Sequence, residues 1–87
     1  MTIERTDDEM VLKLIERSRL LIALSEEIPV ETKLQTQPLL KQLEQLLGTD
    51  DRDVARIKGT HALLCRELSE FPDLDALLGA MENFLPR

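Results

Sequence analysis

Val54, Ile57, His61, Leu64, Leu68 and Phe71 recur at alternating spacings of three and four, which is the period of an α-helix with one apolar seam. No other segment constrains the fold so tightly. Nowhere does the chain show the strict apolar/polar alternation of a half-buried strand or an Asn-Gly type hairpin turn, so the pattern predicts an all-α protein.

The remaining helices are predicted from the same period and from their stop signals. Thr6-Asp7-Asp8-Glu9 fits a capping box that opens a first helix, carried by Val11, Leu14, Ile15, Ser18, Leu21 and Ile22 and stopped ahead of Pro29, giving about 7–26. Residues 28–37 are ambiguous. Thr32 with Gln35 also fits a capping box, but Pro38 would remove a helical hydrogen bond, so a short turn is expected before a helix over 37–47. Leu39, Leu40, Leu43, Leu46 and Leu47 line that helix, and Gly48 suits a left-handed position at its end. The seam helix is predicted over 51–71, opened by cap oxygens among Thr49, Asp50, Asp51 and Asp53 and ended by Pro72. Gly59 within it implies either a close approach by a neighbour or plain tolerance. Asp73 can cap a last helix over 74–85, with Leu74, Leu77, Leu78, Met81 and Leu85 on one face and Pro86 closing it. Short loops favour antiparallel neighbours, so the expected architecture is a small antiparallel bundle of three to four helices in one domain, 1–87.

At 87 residues, only one compact core can be built, and self-association would help to stabilise it. The longest apolar run, residues 20–24, is far short of the ~20 residues that cross a bilayer, and the first ten residues hold four acids and no apolar signal region. Neither a membrane span nor secretion is expected. The single cysteine, Cys65, suits a reducing compartment, so the expected address is cytoplasmic, in a cell or in a virus-infected host cell. The net charge of −6, with no Trp or Tyr and two Phe, disfavours direct nucleic-acid binding.

Each chemistry-bearing group has a plainer reading beside its functional one. His61 and Cys65, four apart, place an imidazole and a thiol on one helix face, as a Cys-His nucleophile would need. Yet His61 also falls in the apolar seam, where packing explains it. As metal ligands they supply two groups where zinc takes three or four. Asp7, Asp8 and Glu9, and likewise Asp50, Asp51 and Asp53, stand where helix N-termini attract carboxylates, so capping accounts for them better than magnesium does. Gly48, Gly59 and Gly79 are isolated and make no phosphate loop. A helix-turn-helix around Gly48 would present Asp50, Asp51 and Asp53 to phosphates, which argues against DNA reading. No catalytic residue, cofactor site or metal site is predicted.

What remains is interaction. Val54, Ile57, His61, Leu64, Leu68 and Phe71 form a seam that either packs against the chain's own helices or pairs with another copy or a larger protein. Arg52 and Arg56 offer a basic rim beside it, as solvated surface or as a device for partner choice. The residues point to a non-enzymatic helical protein–protein interaction module, self-associating or docking on a larger protein. The alternative is an acidic regulator or inhibitor that competes with nucleic acid for a basic surface on a partner, whose binding would weaken steeply with salt.

The run VARIKGTHALLCRELSEFPDL, residues 54–74, resembles a pattern in small phage-encoded helical proteins: a basic helix with a central Gly that leads into Leu-rich turns and a Pro-Asp break. It covers about a quarter of the chain. The resemblance implies an accessory or structural role in phage particles, or one in subverting host machinery, and assigns no functional residue.

Overall fold

The computed structural model describes residues 3–49 and 53–85, with side chains from residue 8 onward. Four helices follow in order: α1 (Ile3–Leu24), α2 (Val30–Leu47), α3 (Val54–Leu68) and α4 (Pro72–Glu82), with no strand among the described residues. The all-α bundle expected from the periodicity forms, with four members.

The helices make a ring. α1 packs on α2, α2 on α3, α3 on α4 and α4 back on α1, and among the described residues neither diagonal pair of backbones approaches as closely. The α1–α2 pair is antiparallel: Lys33 Nζ donates to the Ala23 carbonyl (3.4 Å), and four residues further on α2, but four residues earlier on α1, Gln37 Nε2 donates to the Arg19 carbonyl (3.3 Å). Short connections carry the alternation on, producing a body 42 × 18 × 16 Å.

One stripe from each helix fills the ring. Val11, Ile15 and Ile22 come from α1, Leu40, Leu43 and Leu47 from α2, Ile57, Leu64 and Leu68 from α3, and Leu74, Leu78 and Met81 from α4. Three buried hydroxyl residues sit among them without orphaned groups. Ser18 and Thr36 donate to the carbonyls one turn back, Leu14 (2.8 Å) and Thr32 (2.7 Å), while Thr60 Oγ1 receives the Gln42 amide at 3.5 Å.

Several boundaries differ from the sequence expectation, each for a physical reason. Thr6 lies inside α1, which begins at Ile3, so the expected capping box does not open it; the side chains of Thr6 and Asp7 lie outside the described residues. α2 starts at Val30 and runs through Pro38 rather than beginning at 37. Its first half has a face to bury, with Thr36 fully enclosed, and Pro38 lies on the exposed side, away from the core, with the Leu34 whose carbonyl it cannot bond also exposed. Thr32 is thus interior to the helix, whose N-cap position is held by Pro29 without a side-chain bond.

Gly48 ends α2 at φ −84°, not in the left-handed region. Its N–H reaches the carbonyls of Glu44 and Gln45, both at 3.1 Å, and Thr49 Oγ1 donates to the Leu46 carbonyl (2.9 Å), so these three terminal acceptors are met without a left-handed residue.

α3 opens at Val54, where the Asp53 carboxylate caps it by accepting from the Arg56 N–H (3.1 Å); Asp50, Asp51 and Arg52 lie outside the described residues. It closes at Leu68. Pro72 does not stop α3 but starts α4, its missing N–H costing nothing at the first helical position. Phe71, not Asp73, is the cap residue, and Asp73 and Asp75 fall in the first turn, where the helix dipole favours acids. α4 ends at Glu82, although Leu85 still reaches the core; Pro86 lies outside the described residues.

A Cβ added at Gly59 would meet nothing within 4 Å. Of the two readings of that glycine, close approach is therefore removed and tolerance stands.

Candidate functional site

The α3 seam lies inside the protein. Ile57, Leu64 and Leu68 are wholly enclosed, His61 is 7% exposed, and Val54 and Phe71 are half-buried. With α2 on one flank of α3 and α4 on the other, the stripe is already covered. Of the two readings of this spacing, packing against the chain's own helices describes Ile57, His61, Leu64 and Leu68, while Val54 and Phe71 keep part of their surface outside the core. Arg56 is exposed beside this seam, and Arg52 lies outside the described residues.

His61 joins two helices. Its Nε2 stands 2.8 Å from the Leu78 carbonyl of α4, and because a carbonyl only accepts, Nε2 carries the hydrogen and donates it. The Cys65 sulfur lies 3.8 Å from Nδ1 and 3.7 Å from Nε2. Burial raises the Cys65 thiol above its ordinary 9.0, and the Glu82 and Asp75 carboxylates push in the same direction. An activated cysteine needs the opposite surroundings, electropositive and open. His61 therefore clamps α3 to α4, with the Cys65 sulfur beside it held as a thiol. Among the described residues, no group of three or more His, Cys, Asp or Glu is placed to hold a metal ion, and no helix is long and apolar enough to cross a membrane.

The outer surface holds what the seam does not. Leu20, Leu24, Val30, Leu34 and Leu63 are large apolar residues that remain 48–78% exposed after the core is complete. Four of them belong to α1 and α2. Between those helices runs a groove of about 520 Å³, in which Leu34 and Pro38 meet Gln37 under three cations, Arg19, Lys33 and Lys41. Arg19 is paired with Glu16 at 3.6 Å, an exposed i,i+3 contact of little energetic weight.

A second concavity, about 500 Å³, sits at the bundle end where the α1–α2 turn meets the start of α4. Leu24 and Phe71 contribute to its wall, with Glu26, Glu27 and Asp73 around it. The turn is itself well built. Ser25 Oγ accepts from the N–H groups of Glu27 (3.2 Å) and Ile28 (3.3 Å), and Ile28 plugs the core at 4% exposure.

The sequence signal for this surface was present but weaker than the seam. Leu20 and Leu24 fall on the far side of α1 from Val11, Ile15, Ser18 and Ile22, so a helical projection separates them from the core stripe. Val30 and Leu34 carried no such signal, because α2 was expected to begin after them.

In comparison with known proteins, no family model, no curated protein and no solved structure matches the chain.

Proposed function

We propose that this chain is a non-enzymatic helical protein–protein interaction module, self-associating or docking on a larger protein. An accessory or structural component of a phage is the example that the run 54–74 suggests. The observation that carries the reading is the set of large apolar side chains left outside a finished core, chiefly Leu20, Leu24, Val30 and Leu34 on α1 and α2. Burying such side chains against a partner stabilises a complex by roughly 1.5–3 kcal/mol each when burial is complete, so a few suffice to anchor one. The anchors therefore lie on the α1–α2 side of the bundle, and the basic residues beside them take the part of a specificity rim.

The test pairs two measurements on the intact chain: absolute mass in solution by light scattering, and capture of a partner by the tagged chain beside its Leu20→Lys/Leu34→Lys variant. A multiple of 10.0 kDa, or a stoichiometric partner lost in the variant, is the expected result. A monomer whose captured proteins are the same with and without the substitutions would overturn the proposal.

A further inference from the structure

The groove and the turn beside it carry opposite charges on neighbouring parts of the same two helices. In a chain of net charge −6, three of the eleven bases converge on one apolar groove, Arg19, Lys33 and Lys41 over Leu34 and Pro38. Only Arg19 has a carboxylate within 4.0 Å among the described residues. The turn shows the complementary chemistry. From residue 20 to residue 32 there is no base, while Glu26, Glu27 and Glu31 are exposed without an ion-pair partner among the described residues, beside Leu24 at 78% and Val30 at 69% exposure.

We infer that a second copy of this chain is the occupant: the acidic α1–α2 turn of each copy docks in the basic groove of the other, around a twofold axis near Leu34. The inference rests on the interaction reading above and names its partner. The axial positions suit a twofold. Lys41 lies seven residues beyond Leu34, about 10.5 Å along α2, whereas Glu31 and then Glu27 and Glu26 lie on the opposite side of Leu34. Reversing one copy about an axis there sets Lys41 of each copy against the Glu26–Glu27 turn of the other and Arg19, level with Gln37, against Glu31, while Lys33 stays close to the axis; this is the self-complementary arrangement that a closed dimer requires. A foreign acidic helix would fill the groove and leave the turn's Leu24 and Val30 uncovered; a second copy supplies the acidic apolar segment and removes both exposures together.

The available area suits a reversible pair. With the axis near Leu34, only four residues into α2, two copies overlap at the turn end of a face 42 by 18 Å and cover less than the ~800 Å² per partner of a standard interface, which suits a weak pair. Concentration-dependent dimerisation is the expected behaviour.

Sedimentation equilibrium over about 10 μM to about 1 mM tests this with three forms of the full chain. The wild type is expected to rise from 10.0 kDa towards twice that mass. Lys33→Glu/Lys41→Glu and Glu26→Lys/Glu27→Lys/Glu31→Lys are each expected to stay at 10.0 kDa, and their equimolar mixture to recover the 1:1 dimer, because exchanged charges then face each other at one contact and native charges at the other. Three Glu→Lys exchanges raise the net charge of −6 by six, to zero, so general repulsion does not account for a monomeric triple variant. Glu26, Glu27, Glu31 and Lys41 are exposed and Lys33 half-buried, and far-UV circular dichroism checks that each variant folds.

A wild type held at 10.0 kDa throughout would overturn the pairing while leaving a foreign partner, detected by Leu34-dependent capture, to support the broader proposal. A dimer that persists in either variant, or a mixture that stays monomeric, would also overturn it, since the copies would then meet elsewhere.

Discussion

Replacing Pro38 by Ala should make this protein more stable, although proline usually stiffens a chain. Pro38 is the ninth residue of α2, and its ring nitrogen offers no hydrogen to the Leu34 carbonyl four residues back. An interior helical proline costs roughly 3 kcal/mol relative to Ala. Because Pro38 is exposed, Ala leaves no cavity and removes no core contact. Against the gain stands the greater freedom of the unfolded Ala chain, about 0.4–1 kcal/mol, and the helix has already relaxed around the proline. A net stabilisation of roughly 1–2 kcal/mol is expected, which in a domain of this size raises Tm by about 4–8 °C per kcal/mol. Thermal melting followed by far-UV circular dichroism, at one low protein concentration so that association adds nothing, measures it directly. An unchanged or lowered Tm would refute the continuous α2: the segment before Pro38 would then be the turn that the sequence alone suggests.

Other substitutions test the packing and the thiol. Gly59→Ala has open space around the new methyl and should stabilise α3 by about 0.5–1 kcal/mol in urea unfolding; a loss of stability would mean a neighbour lies closer than the structure places it. Leu64→Ala should cost about 2–5 kcal/mol because the side chain is wholly enclosed, whereas Leu63→Ala, 48% exposed, should stay within about 0.5 kcal/mol; equal effects would contradict the orientation of α3. Cys65 should react slowly with iodoacetamide near neutral pH and speed up only in alkali, and a fast neutral reaction would show an activated thiolate. The same raised thiol has a consequence for stability: it is fully present below the unfolded thiol's ordinary value and lost as pH climbs from there through the raised folded value. Cys65→Ser should flatten that alkaline decline, and an equally steep decline in the variant would place its cause elsewhere.

The legibility of the chain followed how local each determinant is. The α3 seam could be read because one helix records its buried face every three or four residues: Val54, Ile57, His61, Leu64 and Leu68 lie buried or half-buried on α3, and half-buried Phe71 continues the spacing at the start of α4. The candidate site was less legible for the same reason. Periodicity marks the face a helix hides without saying what hides it, so the strongest signal led to the core, and the exposed Leu20, Val30 and Leu34 drew less notice.

By itself, then, the sequence determined the all-α class, the approximate helices and most of the residues they would bury, since these depend on spacing and on proline positions within one turn or two. Only the tertiary structure decided the rest. Pro38 became tolerable inside α2 because the bundle gave Thr36 and Leu40 a core to enter and left the proline outside. Pro72 opened a helix instead of ending one because α4 could fold back against α1 and α3. His61 found its acceptor on Leu78, 17 residues away, in another helix. These outcomes depend on what each helix meets across the ring, and burial against a partner helix exceeds the intrinsic preferences of a single turn.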